Sequence, residues 1–155
     1  MAEKNPGVKI VSDNRQARYL YEIQETHEAG IELVGTEVKS IRAGKVNLRD
    51  GYAFIKNGEA WLSNVHIAPY KAGGTHFNHE ARRVRKLLLH RKEINKLIGQ
   101  TEQKGLTLVP LKMYFKKGRV KIVIGLGKGK KLHDKRETAK KRDDQRSMAR
   151  AMKRD

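Results

Sequence analysis

Tyr52-Ala53-Phe54-Ile55-Lys56-Asn57-Gly58-Glu59-Ala60-Trp61-Leu62-Ser63 sets two strand-prone runs on either side of Asn57-Gly58. Asn and Gly readily take the positive φ angles of a two-residue type I′ turn, whose twist matches that of the strands it joins. The stretch is therefore a β-hairpin, with strands over Tyr52 to Lys56 and Glu59 to Ile67. Downstream, Leu106 to Phe115 and Arg119 to Leu126 form a second pair turning near Lys117-Gly118. Pro110 lacks a ladder N–H and marks an edge or a bulge there. Upstream, Tyr19, Tyr21 and Ile23 alternate with Leu20, Glu22 and Gln24, then Glu28-Ala29-Gly30 reads as a turn before Ile31 to Val34 resumes. Period-2 alternation bounded by turn residues predicts another hairpin.

Helical spacing occurs between these runs. Thr36 can cap a short helix in which Val38 and Ile41 share one face, Lys39 and Arg42 face solvent, and Gly44 ends the turn. From Leu87 to Ile98 the apolar positions Leu87, Ile94, Leu97 and Ile98 predict a second helix, stopped by Gly99 or Gly105. Pro69 to Asn78, with Gly73-Gly74, reads as a loop. The expected fold is mainly β: a six-stranded antiparallel barrel of the oligonucleotide-binding (OB) type with two or three short helices. Residues 1–13 are assigned to a flexible N-terminus, 14–127 to the barrel and 128–155 to a basic tail. Tyr19, Tyr21 and Trp61 are expected in the core or barrel wall.

The tail is set apart by charge. Lys128 to Asp155 holds twelve basic and five acidic residues, a net +7, while the other 127 residues carry +11 of the chain's +18. Its larger apolar side chains are Leu132, Met148 and Met152, too few to offset about 1–2 kcal/mol per residue of backbone ordering. It is expected to be disordered alone. Good helix formers and the Glu137/Lys141 spacing let a polyanionic surface induce a helix.

A surplus of 35 Lys and Arg over 17 Asp and Glu disfavours self-association, so a monomer is expected, and attracts polyanions, chiefly nucleic acid or ribosome. No stretch is apolar enough for a membrane span, and Met1 to Gly7 lacks the apolar run of a signal peptide. A cytoplasmic location is expected. The absence of cysteine removes disulfides, thiolate catalysis and cysteine-containing zinc sites.

Enzyme readings carry little weight. Gly125-Leu126-Gly127-Lys128-Gly129-Lys130-Lys131 lacks the spacing of a nucleotide-binding loop. His76 and His79 have no obvious further metal partners, and a solvent-exposed pair is expected. Spacing alone leaves open a nuclease using His27, His66, His90 or His133, but no nucleophile or acidic cluster stands out. Neither catalytic residues, metal nor cofactor are expected. Three basic clusters remain: Arg15 and Arg18 beside Asn14; Lys39, Arg42 and Lys45; and Arg82, Arg83, Arg85, Lys86, Arg91 and Lys92. On one face, they would hold phosphates and make binding salt-dependent.

Asn14-Arg15-Gln16-Ala17-Arg18, Glu28-Ala29-Gly30, the run Gly35 to Lys45, Arg85-Lys86-Leu87-Leu88-Leu89, and Gly127-Lys128-Gly129-Lys130-Lys131 followed by His133-Asp134-Lys135-Arg136 resemble the bacterial small protein B family. These are the SsrA-binding proteins of trans-translation. The resemblance implies an OB-type barrel that holds the tRNA-like domain of transfer-messenger RNA and accompanies it into stalled ribosomes. It implies RNA-binding roles for Asn14, Glu28 and Leu88, to which the clusters add Arg15, Arg18, Lys39, Arg42, Lys45, Arg85 and Lys86. It also implies that the tail enters the decoding region and the vacant mRNA path along 16S rRNA, where it mimics codon and anticodon. Lys128, Lys130, Lys131, His133, Asp134, Lys135, Arg136, Met152 and Lys153 match the ribosome-contacting positions. Asp143, Asp144 and Ala151 stand where the family often has larger apolar residues. A structural ribosomal protein is the alternative.

Overall fold

The computed structural model describes residues 8–70 and 78–130. Gly73-Gly74, His76 and the expectations for the tail from Lys131 onward lie outside the described residues.

The two hairpins form where turn chemistry demands. β4 (Tyr52–Lys56) and β5 (Glu59–Ser63) pair antiparallel from Tyr52↔Ser63 to Lys56↔Glu59. Asn57 and Gly58 carry φ of 54° and 73°. β8 (Thr107–Lys116) and β9 (Arg119–Gly129) turn through Lys117 and Gly118 at 52° and 77°. The ladder shifts register between Pro110 and Lys112, so Pro110 is a bulge residue as expected. The bulge reverses the facing of alternate residues, which lets even-numbered Leu108 and odd-numbered Met113 and Phe115 all join the main core. Pro110 also falls between Leu108, which faces β4, and Lys112–Lys116, which face β1 (Val8–Asp13).

With β2 (Tyr21–Ile31) and β7 (Arg85–Leu88), six strands close into an antiparallel ring in the order β8-β4-β5-β7-β2-β9 and back to β8. The six-stranded, mainly β expectation holds, with three helices among the described residues. β1 adds a further strand on the outside edge of β8, running from Val8↔Lys116 to Asp13↔Lys112. Its Val11 packs against the core, which gives part of the segment assigned to a flexible N-terminus a reason to order. β3 (Val46–Asn47) and β6 (His66–Ile67) form a separate two-stranded sheet.

Four local expectations are corrected. β2 is one eleven-residue strand without a turn at Glu28-Ala29-Gly30. Gly30 is there for close packing, since a Cβ on it would lie 3.2 Å from Leu88 Cβ. Tyr19 and Leu20 belong to α1 (Arg15–Leu20), so the apparent alternation straddled a helix–strand junction. The expected strand from Glu59 to Ile67 breaks at Asn64, whose φ is 59°. The expected helix over Leu87–Ile98 is β7 followed by α3 (Arg91–Lys104), because Arg85, Leu87 and Leu88 follow strand alternation: buried, buried, exposed. Gly99 lies within α3, and Gly105 at φ 64° ends it.

α2 (Gly35–Arg42) starts one residue before Thr36, with the Glu37 carboxylate accepting the Val34 N–H at 2.9 Å. The Thr36 hydroxyl serves elsewhere, on His79. Ile41 is fully buried and Val38 packs against the same core. The main core gathers Ile41, Leu48, Leu62, Val65, Ile67, Leu97, Met113 and Ile122. Under α1, Ala17, Val109 and Leu111 form a smaller cluster with Tyr21, Ile23 and Val123.

Candidate nucleic-acid interface

The outward face of β8, β9 and β2 is assembled by register. Because Met113, Phe115 and Ile122 point into the core, their alternates Lys112, Tyr114, Lys116 and Lys121 point out. Ile10↔Tyr114, Tyr114↔Lys121, Lys121↔Gly30 and Gly30↔Leu88 are successive cross-strand partners, forming one row from β1 to β7. The row covers roughly 19 Å of sheet at about 4.8 Å per strand. Its ends are exposed apolar side chains, Ile10 at 55% and Leu88 at 51%. Beside it lie Lys116↔Arg119 on one flank and Asp13↔Lys112↔Val123↔Glu28 on the other.

Glu28 sits in mid-strand among cations. Tyr114 Oη donates to Glu28 Oε2, and Lys116 Nζ lies 3.6 Å from the same oxygen. The hydrogen bond from Tyr114, with Lys116 and Lys121 nearby, holds the Glu28 carboxyl below its ordinary 4.5 despite partial burial. Burial, then the Glu28 contact, raises the Tyr114 phenol above its ordinary value, so it stays a donor. Lys112 Nζ stands 5.9 Å from the Tyr114 ring centroid. The face thus sets Lys112, Lys116, Arg119 and Lys121 against Glu28 and, at its margin, Asp13. Such a surface can hold phosphates, offer one carboxylate to base or ribose donors, and pack a base on Leu88.

The other expected site residues divide by exposure. Arg15 and Arg18 are exposed on α1, and Arg15 joins Arg49, Gln16 and Asn47 around a cleft of ≈ 370 Å³. Lys39 and Lys45 are exposed, Lys39 lying 5.5 Å from the Tyr70 ring centroid. Arg42 is exposed over the buried Phe115 ring, also at 5.5 Å, at the end of the ring beside Lys116. Lys86 is half-buried and donates to Glu59 at 3.3 Å. Lys128 is exposed near the end of β9. The Lys130 N–H donates to Leu20 O at 2.9 Å.

Asn14 and Arg85 are inside. Asn14 is 5% exposed and caps α1: its Oδ1 accepts the Ala17 N–H at 3.3 Å, while Nδ2 donates to Pro110 O at 2.9 Å and Leu48 O at 3.2 Å. With its amide so engaged, Asn14 anchors α1 to the β8 bulge. Arg85 is completely buried. Its Nε donates to Glu37 Oε2 and its remaining donors reach the carbonyls of Val65, Glu80 and Ala81. Burial opposes the Glu37 charge, but Arg83, the Val34 N–H and Arg85 together hold its carboxyl below the ordinary value. Arg85 is therefore corrected from RNA contact to internal brace, since a guanidinium with every edge occupied has none left for phosphate.

His79 is corrected likewise. It is 9% exposed, its Nε2–H donating to Ile67 O and its Nδ1 accepting from the Thr36 hydroxyl, both at 2.9 Å. Among the described residues no three His, Asp or Glu side chains converge as a metal would require. No helix among them is long and apolar enough to cross a membrane. The residues that sequence reasoning missed are Tyr114, Lys112, Lys116, Arg119 and Lys121. Their signal was present as alternation: Lys112-Met113-Tyr114-Phe115-Lys116 and Arg119-Val120-Lys121-Ile122 each place polar residues on one face of a strand.

Known proteins share this sequence and this architecture. The SsrA-binding protein of Gloeothece citriformis (strain PCC 7424) is 73% identical over 154 residues, covering 99% of each chain. The SsrA-binding protein of Nostoc punctiforme (strain ATCC 29133 / PCC 73102) is 72% identical over 153 residues, again at 99% of each. A chain from the solved structure described as "tmRNA-SmpB: a journey to the center of the bacterial ribosome" is similar at a TM-score of 0.67 and 51% identity, covering 86% of this chain and 94% of that one. The family model described as SmpB protein matches residues 11–154, and the chain belongs to that family.

Proposed function

We propose that this protein is a non-enzymatic RNA adaptor of trans-translation. Its ring binds the tRNA-like domain of transfer-messenger RNA (SsrA RNA), and its basic tail engages the decoding region and mRNA path of stalled ribosomes in the cytoplasm, along 16S rRNA. The observation that carries the reading is the cationic outer face around Glu28 and Leu88, in a chain whose relatives are named SsrA-binding proteins. Lys112, Lys116, Arg119 and Lys121 meet phosphates, Glu28 accepts from a base or ribose edge, and Leu88 packs on an unstacked base. Arg15, Arg18, Lys39, Arg42, Lys45 and Lys86 widen the electrostatic footprint. Asn14 and Arg85 support it from within. Lys128, Lys130, Lys131, His133, Asp134, Lys135, Arg136, Met152 and Lys153 serve the ribosome.

The test is truncation. β9 pairs as far as Tyr21↔Gly129, so the cut belongs after Lys130, leaving the strand intact. The shortened protein is expected to bind a transcript of the tRNA-like domain with nearly full affinity and to support no peptide tagging on stalled ribosomes. Equal loss of both would overturn the division of labour. Retention on salt-washed translating ribosomes with no preference for transfer-messenger RNA would favour a structural ribosomal protein instead.

A further inference from the structure

We infer that Tyr114 is a positioning residue for RNA recognition: it pins one oxygen of the Glu28 carboxylate and leaves the other aimed outward. The inference rests on Glu28 being an RNA contact. Tyr114 and Glu28 stand on β8 and β2, with β9 between them, so the contact spans an intervening strand rather than joining neighbours. An exposed glutamate on a sheet surface normally samples several rotamers. Here Oε2 meets Tyr114 Oη and Lys116 Nζ together, while Oε1 has no hydrogen bond among the described residues.

Tyr114 is itself held. It is 7% exposed although its side chain lies on the outer face, with Ile10 and Lys121 as its cross-strand partners and Lys112 over its ring. A rigid aromatic side chain supplies the pin at low entropic cost, and a phenol serves where a lysine would not. It donates one directional hydrogen bond and adds no charge, so Glu28 keeps its anionic character toward the ligand. An unpinned carboxylate surrounded by Lys116 and Lys121 would instead fold onto these cations and withdraw from the RNA.

Tyr114→Phe removes one oxygen and little volume, so it tests the pin with the fold retained. Labelled tRNA-like-domain transcript is titrated with full-length wild type, Tyr114→Phe, Glu28→Ala and the double variant. Tyr114→Phe is expected to weaken binding roughly tenfold, the order of one charge-assisted hydrogen bond, and to cause no further loss in the Glu28→Ala background. In the free protein, NMR titration of the Glu28 carboxyl carbon should place its midpoint below 4.5 in wild type and move it upward in Tyr114→Phe, while amide hydrogen exchange across β2, β9 and β8 stays at wild-type rates, which general loosening of the sheet would not allow. Equal losses in both backgrounds, or wild-type affinity for Tyr114→Phe while Glu28→Ala is weak, overturn the pin alone. Wild-type affinity for Glu28→Ala overturns the underlying RNA contact and the pin with it.

Discussion

Arg85→Met separates an internal brace from an RNA contact. The substitution keeps length and apolar volume but removes the charge that faces Glu37 across a completely buried contact. Glu37 keeps the Val34 N–H and Arg83, the latter a partner 36% exposed and reaching in from the rim. The Val65 and Ala81 carbonyls lose donors at 2.9 and 3.1 Å. Removing one partner of a buried, hydrogen-bonded ion pair costs about 3–5 kcal/mol, much of it the penalty of an uncompensated charge. At about 3–5 °C per kcal/mol for a fold of this size, Tm should fall by about 9–25 °C. Urea unfolding should give the same loss in midpoint with an unchanged slope, and at temperatures where the variant is folded its RNA affinity per folded molecule should equal wild type. The cycle with Glu37→Met isolates the pair: the double variant should be less destabilised than the sum of the singles by about 1–3 kcal/mol. A normal Tm combined with weakened RNA binding would refute the reasoning, because it would require Arg85 to reach the surface.

Two more outcomes follow from the geometry. Gly30→Val should drive Leu88 from its seat, because even a Cβ at Gly30 would lie 3.2 Å from Leu88 Cβ. RNA affinity by fluorescence anisotropy should then fall by about 1–2 kcal/mol, roughly 5- to 30-fold, approaching that of Leu88→Ala; unchanged affinity would break the proposed row. Acid should loosen the fold through Glu37, whose folded pKa lies below its ordinary 4.5. A depressed carboxylate stabilises the folded state above its unfolded pKa and loses that contribution as pH falls through the folded one. The urea midpoint should therefore be flat near neutrality and decline below about pH 4.5, with a shallower decline in Glu37→Gln. A midpoint that holds or rises on acidification would contradict this.

Turn chemistry was the most legible part of the chain. Asn57-Gly58 and Lys117-Gly118 lie where their backbone freedom is needed, and both hairpins followed from them. Gly30 was misread because glycine has two uses, a positive φ or a missing side chain, and only a neighbour from β7 reveals the second. The Leu87-Leu88-Leu89 run was ambiguous in the same way, since a short apolar run satisfies strand and helix alike until the ring supplies partners. The total and the clustering of the basic residues were visible, but which of them lie inside was not. Arg85 and Lys86 are adjacent in sequence and differ completely in surroundings, because one faces the core end of α2 and the other the outside. Glu28 was legible only through family resemblance, whereas Tyr114 required the pairing of β2, β9 and β8.

The bond from the Lys130 N–H to Leu20 O fixes where the remaining chain departs, at the junction of α1 and β2. In the proposed function residues 131–155 serve the ribosome, and their origin on the ring is thereby definite. Fully extended, twenty-five residues span at most about 85 Å, and as a helix about 37 Å. Once the ring is seated on one RNA, any second polyanionic site within that radius meets the tail as an intramolecular neighbour, at an effective concentration that can reach the millimolar range. Weak contacts by individual lysines and arginines can then suffice. Moving the point of departure, by inserting residues after Gly129, would change avidity without removing any contact residue.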